Sequence, residues 1–154
     1  MADHPHILDV RPEVDFLAGH LARSASIPLE ELARRVHELP PENEAIGVFD
    51  SDAGRVQRAL EFLQRRGHEV WSIQFDPGRL SERGPARTQL WQPSGFLVEA
   101  IDRIRATGSS NPGRPALDVA CGSGRDAVYL ATIGYEVHAI DVLPDALARA
   151  GDLA

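Results

Sequence analysis

Lysine is absent from this 154-residue chain, whose 16 basic residues are all arginines. Schiff-base chemistry and phosphate-binding P-loops both require a lysine amine, so both are excluded. Cysteine occurs once, as Cys121, which excludes a disulfide framework and a metal site built from several thiolates. A single thiol is typical of a reducing compartment, and we expect a cytoplasmic protein.

Long apolar runs and basic clusters are also missing. No segment approaches the roughly 20 apolar residues of a membrane span, and the N-terminus lacks the features of a signal peptide. The net charge of −7 comes without a basic stripe, which predicts no binding to nucleic acid or to an anionic membrane surface. Among the six histidines, only His4 and His6 stand close together, and we expect no metal site.

Residues 1–75 show a regular alternation of strands and helices. Short apolar runs predict three strands, and apolar residues at helical spacing predict three helices. The strands are expected at 7–10, 45–49 and 69–73, and the helices at 13–17, 29–39 and 56–66. Strands that alternate with helices favour parallel pairing through right-handed crossovers. The predicted fold class is therefore α/β with a parallel sheet.

Residues 76–92 are rich in turn-forming residues and poor in apolar ones, which predicts a linker. A second α/β region, 93–154, follows this segment. It begins with an amphipathic helix at 94–106, for which Ser94 is a candidate N-cap. The elements expected after it are a strand at 116–120, a tight turn at 122–124, a helix at 126–132, a strand at 135–140 and a helix from 145.

The turn at Gly122-Ser-Gly124 carries the sharpest chemical signal of the chain. It lies between a strand and a helix, where glycines let a ligand approach the backbone and where helix amide groups favour an anion. Asp141 ends the next strand, and a carboxylate at that place can accept hydrogen bonds from ribose hydroxyls. Because Ala127 follows at the third-glycine position, the pattern also fits a dinucleotide fingerprint, so a nicotinamide cofactor stays an alternative.

An acidic residue, Asp118, lies four positions before Gly122. The run from Asp118 to Ala131, with Gly134-Tyr-Glu-Val-His-Ala-Ile-Asp141 after it, resembles class I S-adenosylmethionine-dependent methyltransferases of the tellurite-resistance type. Ala120 stands where their motif has its first glycine. The resemblance implies a Rossmann-like domain, of which 93–154 would be the N-terminal part, and a chain that is weak or inactive by itself.

The resemblance also implies residue roles. S-adenosyl-L-methionine would be the cofactor, and its methionine part would lie over the turn formed by Ala120, Cys121, Gly122 and Gly124. Asp118 would orient the amino group, Asp141 would hold the ribose, and Val142 would lie beside the adenine. The methyl acceptor would be a small molecule.

Residues 5–75 resemble a rhodanese-like domain through Asp9-Val-Arg11, Glu13-Val-Asp-Phe16, Gly19-His20 and Ala25-Ser-Ile-Pro28. In that family, the strand after the second helix ends in a catalytic cysteine. Asp50 takes this position here, and a carboxylate cannot form a persulfide. We therefore predict no sulfurtransferase activity, and we expect Asp50 to cap the next helix or to pair with Arg55.

Two functions from different classes follow. The first is a methyltransferase with an inactive rhodanese-like domain before it. The alternative is a binding or regulatory module, in which the rhodanese-like domain docks a protein partner.

Overall fold

The computed structural model describes residues 6–108 and 113–154, so that His4 of the histidine pair lies outside the described residues. The chain divides into two compact units, Met1–Leu90 and Trp91–Ala154. Each unit contains a parallel sheet with helices, which confirms the predicted α/β class. Among the described residues, no helix has both the length and the apolar content to cross a bilayer.

The first unit is built on a four-stranded parallel sheet in the order β2-β1-β3-β4. Its strands are β1 (His6–Asp9), β2 (Ser24–Ser26), β3 (Ile46–Phe49) and β4 (Val70–Ile73), and its α-helices are α1 (Glu13–Ala18) and α2 (Ala53–Arg65). Single turns of 3-10 helix occupy Val36–Glu38 and Pro77–Arg79. The four residues of β3 are all buried, because this strand lies inside the sheet.

The helix predicted at 29–39 is wrong. The chain there forms successive turns, and only Val36–Glu38 is a short 3-10 helix. The backbone bonds join residues three apart, as from Leu32 N–H to the Leu29 oxygen at 3.3 Å. Leu32 and Leu39 are nevertheless buried in the core. The apolar spacing therefore correctly predicted which side chains are buried, but the backbone that buries them forms turns and not a helix.

The segment 76–92 was predicted as a linker, but its residues up to Leu90 belong to the first compact unit. Leu90 is 2% exposed and belongs to the core of the first unit. His20 and Glu82 exchange backbone hydrogen bonds of 2.9 and 3.1 Å, and the Gly84 N–H donates to the Leu17 oxygen at 3.0 Å. Backbone hydrogen bonds can form with any side chain, so the low apolar content of this segment did not reveal that it packs on the first unit. We call residues 77–84 the strap.

The second unit pairs β5 (Pro115–Val119) with β6 (Glu136–Ile140) in parallel. Its helices are α3 (Gly95–Ala106), α4 (Arg125–Thr132) and α5 (Pro144–Leu153). The Ser94 hydroxyl accepts from the Leu97 N–H, which confirms Ser94 as the N-cap of α3. Side chains alternate along both strands, and Leu117, Val119 and Ile140 are at least half exposed on one face.

Candidate functional site

The glycine turn of the second unit begins directly after β5. Three of its residues have a left-handed backbone: φ is +62° at Ala120, +56° at Gly122 and +80° at Gly124. Only glycine adopts this conformation without a steric cost. Ala120 therefore holds a strained backbone at the position where a glycine would be relaxed.

Asp141 fastens this turn to the end of β6. One carboxylate oxygen accepts from the Gly122 N–H at 2.9 Å, and the other accepts from the Leu143 N–H at 2.9 Å. The Cys121 N–H adds a bond of 3.1 Å to the Ile140 oxygen. The hydrogen bonds from Leu143 and Gly122 lower the pKa of Asp141, because they stabilise its charged form. The residue predicted to hold a ribose thus also sets the shape of the turn.

The two glycines of the turn have different surroundings. A Cβ on Gly124 would lie 2.7 Å from the Cβ of Ala150 in α5, so the close packing of α4 and α5 requires glycine there. A Cβ on Gly122 would meet no described atom within 4 Å. The backbone of Gly122 consequently borders open space, as a surface that receives a ligand must do.

Asp118 is placed between β5 and the first turn of α4. Its carboxylate accepts from the Ala127 N–H, while its buried Oδ2 has no hydrogen-bond partner among the described residues. Burial raises the pKa of Asp118, and the nearby charge of Asp126 raises it further. An unpartnered buried carboxylate oxygen is costly in the folded chain, and a cationic ligand group would relieve that cost.

Asp126 is a site residue that the sequence reasoning missed. Its two carboxylate oxygens accept from the Ser94 N–H at 2.6 Å and from the Ser94 hydroxyl at 2.8 Å. These bonds join the start of α3 to the first turn of α4. The available signal was an acidic residue in the first turn of α4, but such a residue does not reveal a partner 32 positions earlier.

Cys121 and Val142 complete the predicted cofactor set. Burial raises the pKa of the Cys121 thiol, as do the neighbouring charges of Asp118 and Asp141. A raised pKa disfavours the reactive thiolate form of Cys121. Val142 directly follows Asp141 and is 93% exposed.

The first unit presents a second set of polar residues at the carboxyl ends of its strands. The Arg11 guanidinium binds the Asp9 carboxylate through Nε and Nη2, and Nη2 also donates to the Gly19 oxygen at 2.7 Å. Both side chains are at most 5% exposed. His20 stacks on Phe16 with ring centroids 3.9 Å apart. The pair Asp9–Arg11 and the ring of His20 thus have local structural partners.

Asp50 follows β3 at the position predicted for a lost nucleophile. Its carboxylate accepts from Arg55 and from the Asp52 N–H, and its side chain is fully buried. Of the two expectations, pairing with Arg55 is confirmed, whereas the cap of α2 is Asp52, whose side chain accepts from the Arg55 N–H. Asp52 lies one residue before α2, where an N-cap must lie, and Asp50 lies three before it.

Comparisons with known proteins agree with this division of the chain. Residues 1–74 match the family model of the rhodanese-like domain, and residues 97–153 match that of the tellurite resistance protein TehB. The first part of the chain is therefore similar to rhodanese-like domains, and the second part is similar to TehB. The predicted resemblance to both families, in this order, is confirmed.

One curated relative contains sequence similar to both parts. The uncharacterized protein UNK4.09 of Schizosaccharomyces pombe is 27% identical over 139 residues, which covers 80% of this chain. The alignment spans 41% of that protein, so this chain corresponds to less than half of its relative's length. Since 80% exceeds the share of the rhodanese-like unit, the relative includes part of the TehB-type segment as well.

Two solved structures are similar to this chain at low sequence identity. Thiosulfate sulfurtransferase from Pseudomonas aeruginosa is 20% identical, with a TM-score of 0.47, and covers 96% of this chain and 36% of that one. The Alr3790 protein from Anabaena sp. is 22% identical, with a TM-score of 0.46, and covers 51% of this chain and 70% of that one.

Proposed function

We propose that the TehB-type segment binds S-adenosyl-L-methionine and serves as the cofactor-holding part of a methyltransferase. The observation that carries this proposal is the turn itself, whose left-handed Gly122 borders open space while Asp141 holds it in place. A ligand lying there would meet exposed backbone and the first turn of α4, where the helix dipole favours a carboxylate.

Three of the predicted residues, Asp118, Asp141 and Val142, have suitable groups for this cofactor. The unpartnered Oδ2 of Asp118 would accept a hydrogen bond from the methionine ammonium group. Asp141 is bound through backbone N–H groups alone, and carboxylate oxygens can accept further hydrogen bonds, here from ribose hydroxyls. The exposed Val142 would offer an apolar surface to the adenine.

When bound, S-adenosyl-L-methionine supplies a methyl group that is already activated on a sulfonium. The contribution of the chain is then to bind and orient the cofactor for an in-line displacement by a small-molecule acceptor. We propose the cytoplasm as the location of this activity, on the basis of the single thiol.

The rhodanese-like domain is assigned a non-catalytic role in this proposal. Asp50 stands where the nucleophile would be and is paired with Arg55, so this position holds an ion pair instead of a thiol. This observation favours the second candidate function, a binding or regulatory module that docks a protein partner.

Calorimetric titration of the full chain with S-adenosyl-L-methionine tests the proposal. We expect measurable heat for the native chain and at least tenfold weaker binding for Asp141→Ala. Asp145→Ala is the matched control, because it removes the same charge from an exposed position four residues later. Absence of heat at millimolar cofactor would overturn the methyltransferase proposal and leave the binding module.

The nicotinamide alternative is tested by a separate measurement. NADH fluorescence should stay unchanged on addition of the chain. Enhancement that Asp141→Ala abolishes would favour a dinucleotide at the same turn.

A further inference from the structure

A cavity of about 430 Å³ lies in the rhodanese-like unit, where the carboxyl ends of three parallel strands meet. Arg11 follows β1, Ser51 follows β3 and Phe75 follows β4, and all three line it. In the order β2-β1-β3-β4, the chain runs from β1 to β2 at one edge of the sheet and from β3 to β4 at the other edge, so the switch point lies between β1 and β3. Open α/β sheets bind their ligands at the carboxyl ends of strands, beside such a switch point.

The strap closes the cavity on one side. Its backbone is joined to residues 17–20 by the His20–Glu82 bonds and by the bond from Gly84 to Leu17. Leu80 packs so closely on Gly19 that a Cβ built there would lie 3.4 Å from the Leu80 Cβ. These contacts place Leu80 and Arg83 in the cavity lining. The volume falls in the range of small-molecule pockets, about 300–1,000 Å³.

Charges of both signs line this cavity without partners. Asp15 and Arg83 make no side-chain hydrogen bond and no ion pair with any residue that the structure describes. The third charged residue, Arg11, is already neutralised by Asp9 and bonded to the Gly19 oxygen. One unpaired acidic residue and one unpaired basic residue therefore line the same cavity, together with the apolar residues Phe75 and Leu80.

We infer that this cavity binds a zwitterionic α-amino acid with an apolar side chain. The carboxylate of the ligand would pair with Arg83 and its ammonium group with Asp15, while the side chain would pack on Phe75 and Leu80. A simple anion would be attracted by Arg83 but repelled by Asp15, and a simple cation would be attracted by Asp15 but repelled by Arg83. A zwitterion satisfies both free charges and leaves the cavity neutral.

Binding is non-covalent in this proposal. Asp50 is buried in its ion pair with Arg55, and the cavity lining contains no thiol. The site lies within the rhodanese-like unit and is independent of the cofactor proposed for the TehB-type segment.

The test is a calorimetric titration of the full chain with L-phenylalanine. Two analogues with a single charge, 3-phenylpropanoate and phenethylamine, are titrated beside it, and L-alanine tests the apolar wall. We expect L-phenylalanine to bind at least about tenfold more tightly than each of these three probes, because each lacks one of the proposed contacts.

Two charge-neutralising variants locate the site. Arg83→Gln and Asp15→Asn should each weaken L-phenylalanine by about tenfold or more. Arg83→Gln should not weaken phenethylamine, and Asp15→Asn should not weaken 3-phenylpropanoate. Both residues are exposed and unpaired, so the variants should fold, which a thermal melt verifies. Asp145→Asn is the control, because it neutralises an exposed charge outside this unit, and it should leave L-phenylalanine binding unchanged.

The outcomes separate the possibilities. Equal affinity of 3-phenylpropanoate and L-phenylalanine would overturn the zwitterion and indicate a simple anion site. Absence of heat from L-phenylalanine at 10 mM, or binding insensitive to both variants, would overturn the proposal whatever S-adenosyl-L-methionine does.

Discussion

Arg55 holds Asp50 in a two-pronged ion pair: its Nε donates to Oδ2 at 2.7 Å, and its Nη2 donates to Oδ1 at 2.8 Å. Five residues separate the two, and the Asp50 side chain is fully buried while that of Arg55 is 24% exposed. The loop between β3 and α2 therefore begins with a buried, ion-paired carboxylate, where a rhodanese-type nucleophile would need an accessible thiolate.

Breaking this ion pair should destabilise the first unit. Asp50→Ala should lower the free energy of unfolding by about 2 kcal/mol, because the Arg55 guanidinium then lies half-buried without its partner. The double variant with Arg55→Ala should cost less than the sum of the single variants, as urea denaturation would measure. The exposed pair Glu99–Arg103 is the matched control, with little coupling expected. Strict additivity at Asp50 and Arg55 would contradict the prediction.

The chain should show no thiosulfate:cyanide sulfurtransferase activity. Asp50 cannot accept a sulfane sulfur, because it has no thiol and its carboxylate is paired with Arg55. The assay is run on the full chain beside an active sulfurtransferase. Turnover that disappears in Asp50→Ala would show that the inference from the missing thiol is wrong.

Ala120→Gly should stabilise the second unit. The left-handed φ of +62° costs an L-residue about 1–2 kcal/mol, and glycine's extra freedom in the unfolded chain offsets part of that gain. We expect a net gain of about 1 kcal/mol in urea denaturation. Ala148→Gly, at an exposed position in the middle of α5, is the same chemical change and should instead cost about 1 kcal/mol. A loss of stability in both variants would contradict the assigned backbone conformation.

The two glycines of the turn should respond differently to alanine. Gly124→Ala adds a clash with Ala150 to an unfavourable φ, and should cost about 3 kcal/mol of stability. Gly122→Ala meets no clash and should cost about 1 kcal/mol, while its methyl group enters the space proposed for the cofactor. Thermal melts and cofactor titration separate the two effects.

A compensating variant checks the cause of the larger effect. Adding Ala150→Gly to Gly124→Ala should restore part of the lost stability, because it removes the atom that a Cβ at position 124 would strike. A further loss, equal to that of Ala150→Gly alone, would show that the clash is not the cause.

Asp118→Asn should stabilise the chain without ligand and weaken cofactor binding. Burial raises the folded pKa of Asp118 above its unfolded value of 3.8, so the folded chain binds the proton more tightly. Ionisation of Asp118 therefore destabilises the folded chain. This loss of stability grows as the pH rises from the unfolded to the folded pKa value, and it stays constant at higher pH. The variant removes that penalty but also removes the charge offered to an ammonium group.

The measurement is the difference in melting temperature between Asp118→Asn and the native chain as a function of pH. That difference should be smallest below pH 3.8 and should reach a plateau near neutral pH. A stabilising effect that stays the same at acidic and neutral pH would contradict the assignment.

Local sequence determined most elements of this protein. The strands β1, β3 and β4 and the helices α2 to α5 lie within a few residues of their predicted places, because each has a clear apolar period or a cap such as Ser94. The glycine turn and the substitution at position 50 were also visible without a structure, since both depend on which residue follows a strand.

Tertiary structure decided what local pattern could not. Residues 29–39 bury the leucines that a helix would bury, but they form turns instead of a helix. The apolar spacing is compatible with both conformations, and tertiary packing overrides the local helix preference. The strap joins the first unit through backbone hydrogen bonds, which any residue can make. Asp126 finds Ser94, Asp141 finds Gly122, and Asp15 and Arg83 reach one cavity only because the folded chain brings distant positions together.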